Sequence, residues 1–247
     1  MKILLSLLIM AGILSLSCSP AAAAVKFVTD VFKTKTGDLK ITFIGHGSLM
    51  LAYGGKIIQV DPVLQEADYS TLPQADLILV THDHSDHLDA KAIAMLTRPG
   101  KTTLVLTETC AAKVQGGIVM KNGDVKSLAG LRIEAVPAYN IVQKRPDGQP
   151  FHPPGMGNGY VLTLGDKRVY VAGDTENIPA MKNLSAIDVA FLPMNLPYTM
   201  TPEMVAAAAR SFQPKILYPY HFGETDTRKI SDLLKDSGIE VRIRNMK

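Results

Sequence analysis

Cysteine is close to absent from this chain. Only Cys18 and Cys110 occur in 247 residues, and Cys18 falls within an N-terminal segment expected to be removed. One remaining thiol cannot build a disulfide framework, so the fold must be held by its core. A strong charge of either sign is missing too. The formal net charge is +3, Lys2 leaves with the leader, and the rest has no basic run longer than two residues. Such a chain has no electrostatic footprint for nucleic acid or for an anionic membrane. Low-complexity stretches, short-period repeats and evident linkers are also lacking. After residue 24 no apolar run is long enough to span a bilayer.

What the chain does have begins at its N-terminus, "MKILLSLLIMAGILSLSCSPAAAA". A lysine, an apolar run from Ile3 to Leu16, then Pro20 and small residues predict a secretory signal peptide over 1–24. Ala22 and Ala24 fit the A-x-A cleavage pattern, so the cut is expected before Val25. The expected product, 25–247, is one exported domain, periplasmic or extracellular. Lipidation of Cys18 is the competing fate of the leader.

Short β-type runs follow: "KITFIGH", "SLMLAY" and "KIIQVD", with "YGGK" as a hairpin turn. "ADLILV" is a further strand, "DAKAIAMLTR" a helix stopped by "PG", and "TTLVL" a strand again. "LRIEAVPA", "GYVLTLG", "KRVYVAGD" and the continuously apolar "IDVAFLP" continue the pattern. Thr201 caps the helix "PEMVAAAARSF", with Pro202 at its first position. "KILYPYH", the helix "DTRKISDLLKD" and "EVRIR" complete the chain. Antiparallel strands flowing into αβ units in both halves predict an α/β fold of two packed sheets with helices outside.

The chemistry concentrates in "THDHSDHLD", Thr81 to Asp89, which holds half of the six histidines. If "LILV" continues in extended form, His82 and His84 project to one side, because side chains alternate. A turn after the strand can bring Asp86 and His87 round to a neighbouring point. Two imidazoles can then serve one cation, and a carboxylate with an imidazole a second.

His82-x-His84-x-Asp86-His87 resembles the signature of the metallo-β-lactamase superfamily. The resemblance implies a four-layer αββα sandwich with two divalent metal ions at one edge, zinc first and manganese or iron as alternatives. "VYVAGDTENIP" resembles the superfamily's later aspartate motif, which implies that Asp174 bridges the metals. "KILYPYHFG" resembles its last histidine motif, which implies that His221 serves the second. Members commonly supply a third histidine to the first metal from the place where this chain has Asn140 in "EAVPAYN". His152, in "FHPPGMGNGY", is the expected substitute, with the Asn140 amide oxygen or a water as alternatives. Asp61 is expected to brace the ligand loop, and His46 in "FIGHGS" to support the site without ligating. Tyr198 is expected in the pocket wall. Lys144 and Arg145 would meet an anionic substrate or form a merely solvated face.

The implied chemistry is hydrolysis. A hydroxide shared by the metals attacks a carbonyl or phosphoryl centre, with His84 and Asp86 among the catalytic ligands. The closest resemblance is to the lactonase-like and N-acyl-phosphatidylethanolamine phospholipase-like branch. Ester, lactone and phosphodiester substrates, small or lipid-like, are therefore expected. A mononuclear-iron persulfide dioxygenase and a metal-binding protein without turnover are the rivals.

Overall fold

A computed structural model describes residues 27–247. The expected leader, its cleavage site and Cys18 lie outside the described residues. Among these residues, fourteen strands form two seven-stranded sheets, each in sequential order. The first contains β1 (Thr29–Thr34), β2 (Gly37–Gly45), β3 (Ser48–Tyr53), β4 (Lys56–Val60), β5 (Leu77–Leu79), β6 (Thr103–Leu106) and β7 (Ile118–Val119). The second contains β8 (Val125–Leu128), β9 (Leu131–Ala138), β10 (Gly157–Leu164), β11 (Lys167–Val171), β12 (Val189–Pro193), β13 (Ile216–Tyr220) and β14 (Glu240–Val241). In each sheet the first four strands pair antiparallel and the remaining junctions are parallel. The helices are α1 (Ala90–Leu96), α2 (Glu108–Ala111), α3 (Pro202–Phe212) and α4 (Arg228–Leu234). None of the described helices is long and apolar enough to cross a membrane.

Strand alternation divides the apolar side chains between two layers. Leu77, Leu79 and Val105 join the large core between the sheets, together with Leu39, Ile41, Leu49 and Leu51. Ile78, Val80, Leu104 and Leu106 point the other way, against Ala92, Ile93 and Leu96 of α1. β12 is buried along its whole length. Val205, Ala209 and Phe212 of α3 and Ile230 and Leu234 of α4 extend the core on that side. This is why "VAFLP" reads as an unbroken apolar run. The α/β sandwich is the expected one. Sequence reading passed over β1, β7, β8 and α2, and "EVRIR" forms only the two-residue β14.

Candidate metal centre

The ligand loop hangs from β5. Val80 N–H donates to Val105 O at 3.0 Å, and Asn158 N–H donates to Thr81 O at 2.8 Å. These bonds hold the chain extended up to His82. The His82 and His84 rings then lie edge to face, with centroids 4.6 Å apart. Next the chain turns: His87 N–H and Leu88 N–H both donate to His84 O, at 3.0 and 2.8 Å. Asp86 and His87 are thereby swung to the far side, as the spacing predicts. Asp89 caps α1 by accepting from Lys91 N–H and Ala92 N–H, and Asp83 pairs with Lys113 at 2.7 Å. Neither aspartate belongs to the centre.

The second sheet brings the remaining donors. Gly173 stands at φ 66°, and a Cβ there would lie 2.9 Å from Asn158 O. Only glycine allows that approach and the bend that presents Asp174. His221 ends β13 at φ 47°, and His46 follows β2 at φ 49°. The two are joined by His221 N–H donating to His46 O at 3.2 Å. Backbone held in this sparsely populated region by its surroundings is common at functional sites. All six histidines of the chain therefore gather at one edge of the sandwich.

Asp174 is the hub. Its Oδ2 lies 3.3 Å from Nε2 of both His152 and His221 and 3.9 Å from Nε2 of His82, while its Oδ1 lies 3.4 Å from Nε2 of His87. Asp86 Oδ2 lies 3.2 Å from His46 Nε2 and 3.7 Å from His221 Nε2. Two donor groups result, His82–His84–His152 and His46–Asp86–His87–His221, and a third set, His82–His87–Asp174, links them. The Nε2 atoms of His82, His87, His152 and His221, and Asp174 Oδ1, are buried without a hydrogen-bond partner. Buried polar atoms are almost always paired. Unpaired imidazole and carboxylate donors aimed at common points are the donor set of divalent transition metals.

Partners behind the rings fix which nitrogen faces inward. Asp61, fully buried at φ 44°, accepts from Thr81 N–H at 2.7 Å, Thr81 Oγ1–H at 2.6 Å and His87 Nδ1–H at 2.8 Å. Having spent its proton on Asp61, Thr81 Oγ1 can only accept from His82 Nδ1–H, 3.0 Å away. Both rings therefore keep Nε2 free for the centre. Gly47 packs against the same ring, since a Cβ there would come within 2.7 Å of His87 Cε1.

Asn140 and His152 do not compete for one role. Asn140 Nδ2 donates to Glu176 Oε1 at 3.1 Å and to Tyr198 O at 2.9 Å. Its Oδ1 therefore faces His152, accepting from His152 N–H at 2.9 Å and His152 Nδ1–H at 2.6 Å. The amide oxygen is fully engaged, and His152 presents Nε2 to Asp174. Asn140 is thus a positioning residue. Its replacement by Ala should lower affinity for the metal ion that His152 would hold about 10–100-fold, because partners behind a ligand typically have that effect. A competitive chelator titration reads this directly, and an unchanged metal affinity would refute it.

Sequence reading missed Glu176. It is buried and gathers the backbone N–H groups of Ile141, Val142 and Gln143, at 3.0, 2.9 and 2.6 Å. It thereby anchors the segment that carries His152. Its only signal was a carboxylate two residues after Asp174 in "GDTEN". His46 sits closer to the centre than a remote support would. Its ring centroid is 3.7 Å from that of His221, and its Nε2 reaches Asp86. Tyr198 stands half-exposed at the mouth, edge-on to Phe151 with centroids 5.1 Å apart.

Without a cation the centre is electrostatically uneven. Burial and repulsion from His87 push His82 well below the usual histidine range. Burial also opposes charge on His87, but Asp174 and Asp61 outweigh it and raise this group to about 9. Burial works against charge on Asp174 as well, yet His221 and His87 hold it well below the usual carboxylate range. Burial pushes the Cys110 thiol up to about 11, which leaves it inert as a nucleophile.

A family model described as a β-lactamase superfamily domain matches residues 40–221, from within β2 to His221. The chain belongs to the metallo-β-lactamase superfamily. Among curated members, it is 30% identical over 215 residues to a UPF0173 metal-dependent hydrolase of Thermus thermophilus, covering 82% of this chain and 94% of that protein. A UPF0173 metal-dependent hydrolase of Methanopyrus kandleri is 29% identical over 83% of this chain and 95% of its own length. A crystal structure from Parabacteroides distasonis, described as a metal-dependent hydrolase, is 54% identical with a TM-score of 0.86. That match covers 90% of this chain and all of that one. In this superfamily member the site opens into two cavities, of about 370 and 660 Å³, both touching His84, His152 and Asp174.

Proposed function

We propose that this metal-dependent hydrolase works with two divalent ions, zinc in our reading, and cleaves an ester, lactone or phosphodiester after export from the cell. The observation that carries the proposal is the ring of buried, unpartnered Nε2 and Oδ atoms around Asp174. His82, His84 and His152 would hold one ion, Asp86, His87 and His221 the other, and Asp174 would lie between them. Two such ions would supply Lewis acidity and a water acidified enough to act as nucleophile near neutral pH. Asp61 and Asn140 keep the imidazoles in the ligating tautomer. Asp86, the more exposed of the two central carboxylates, is placed to hold and orient the attacking water's proton. His46, donating to Asp86 Oδ2, keeps that carboxylate turned inward. The likeness to lactonase-like and N-acyl-phosphatidylethanolamine phospholipase-like members supports the substrate range, and the leader-like residues 1–24 support export.

Metal analysis of the purified protein combined with a panel of lactone, carboxylic ester and phosphodiester substrates tests the proposal. About two zinc-like ions per chain are expected, with hydrolysis of at least one class abolished by a chelator and restored by added zinc. One iron per chain with oxygen uptake, and no hydrolysis, would replace this reading with the persulfide dioxygenase alternative.

A further inference from the structure

The metal centre lies between two cavities rather than on the floor of one. The smaller, about 370 Å³, has Pro150, Phe151, Pro153 and Met156 among its walls. The larger, about 660 Å³, is lined by polar groups including Ser85, Asn195 and Tyr198. Both volumes suit small-molecule ligands. Apart from the ligand candidates, three residues border both cavities: Asp83, Arg145 and Phe151. Asp83 is already neutralised by Lys113, which binds both its carboxylate and its carbonyl, at 2.7 and 2.8 Å.

Arg145 differs from Asp83 and Lys113. Among the described residues its guanidinium has no ion-pair partner, and Asp147 in the same turn accepts from Gln149 N–H instead. The guanidinium carbon lies 5.0 Å from the Phe151 ring centroid, and Nη2 donates to Phe151 O at 3.3 Å. The backbone beneath is pinned on both sides: Arg145 N–H donates to Gln149 O at 2.7 Å, and Gly148 N–H to Arg145 O at 2.9 Å. An exposed arginine is usually a solvated cation on a mobile stem. This one is stacked on an aromatic face, with donors left over, and lines the same two cavities as the ligand candidate His152.

We propose that Arg145, stacked on Phe151, forms a specificity subsite for a carboxylate carried on the acyl side of the substrate. The hydrocarbon linking that carboxylate to the scissile carbonyl would run along the Pro150, Phe151, Pro153 and Met156 wall of the smaller cavity. A planar guanidinium with free donors matches a carboxylate geometrically better than it matches a neutral group. Its charge adds to that of the bound ions in drawing anions into the mouth. The substrate class is therefore a half-ester, or a lactone bearing a carboxylate. This proposal rests on the hydrolase reading above.

The test compares zinc-loaded wild type with Arg145→Met and Arg145→Lys on the p-nitrophenyl half-ester of adipic acid and on neutral p-nitrophenyl hexanoate. Wild type is expected to prefer the half-ester. In Arg145→Met the ratio of the two kcat/KM values should fall about 10–100-fold, the range expected for a charge-assisted hydrogen bond. Most of that fall should come through KM, with partial recovery in Arg145→Lys. An unchanged ratio overturns the subsite while leaving hydrolysis standing. Calorimetric binding of unreactive adipic acid monoamide to the same zinc-loaded proteins keeps the two readings separable. If wild type turns over neither ester but binds the monoamide about tenfold tighter than Arg145→Met, the subsite stands and the carboxylic-ester branch of the hydrolase reading fails. Equal binding to both proteins overturns the subsite independently of turnover.

Discussion

Asp174→Asn should empty the centre. The substitution preserves shape but removes a charge and replaces one carboxylate oxygen with an amide group that cannot ligate. In the wild type, four imidazole nitrogens lie within 3.9 Å of the two oxygens of Asp174. Asp86 is the only other carboxylate in the donor groups that could balance two divalent cations. With two ions bound as proposed, losing Asp174 would weaken both sites together. We expect the protein as purified to hold well under half of the wild-type metal, and turnover to fall about a thousandfold or more, as the shared nucleophile is lost. Elemental analysis and kinetics on one preparation decide this, with circular dichroism to confirm folding. Full metal content with wild-type turnover would show that Asp174 does not bridge.

Asp61→Ala should have the largest effect on the fold itself. Asp61 is fully buried and accepts three hydrogen bonds, one from a fully buried histidine. Removing one partner of a buried pair strands the other, at a cost of about 3–5 kcal/mol. In a chain of this size that corresponds to a fall in Tm on the order of 10 °C. Thermal melts in chelator isolate the effect from metal binding. The pH dependence has a definite sign. Asp174 and Asp61 raise His87 to about 9 in the folded protein, from 6.5 for a free histidine. The stabilisation from its charged form is thus fully present below about pH 6.5 and is lost as pH rises through about 9. The gap in Tm between wild type and Asp61→Ala should narrow across that window. A gap that widens with pH would mean that Asp61 does not hold His87 charged.

The parts of the site that were legible in the sequence are those encoded locally. His82, His84, Asp86 and His87 follow one another off a strand, so alternation and a turn suffice to group them. Asp174 and His221 each end an apolar strand, which placed them at an edge, and family resemblance supplied the edge. The relation between Asn140 and His152 was not legible. It depends on the path of a long segment that is tied down by Glu176 from 33 to 36 residues away. No periodicity records a contact of that kind. The missed strands have a different cause. β7 has two residues, and β8, "VKSL", alternates exposed with half-buried positions. Neither offers the apolar contrast that marks a strand.

The pairing pattern shared by the two sheets has a consequence for how the centre is built. β1–β7 and β8–β14 are two renderings of one plan, and the likeness reaches into sequence. "YGGKIIQVD" leads through a hairpin turn and β4 to Asp61, and "LGDKRVYVAGD" leads through the matching turn and β11 to Asp174. The two aspartates are counterparts with opposite duties. They hold one ring from opposite sides: Asp61 grips Nδ1 of His87 at 2.8 Å, while Asp174 faces Nε2 at 3.4 Å. The centre is a seam between two repeats, and a solitary repeat would possess only one lip of it.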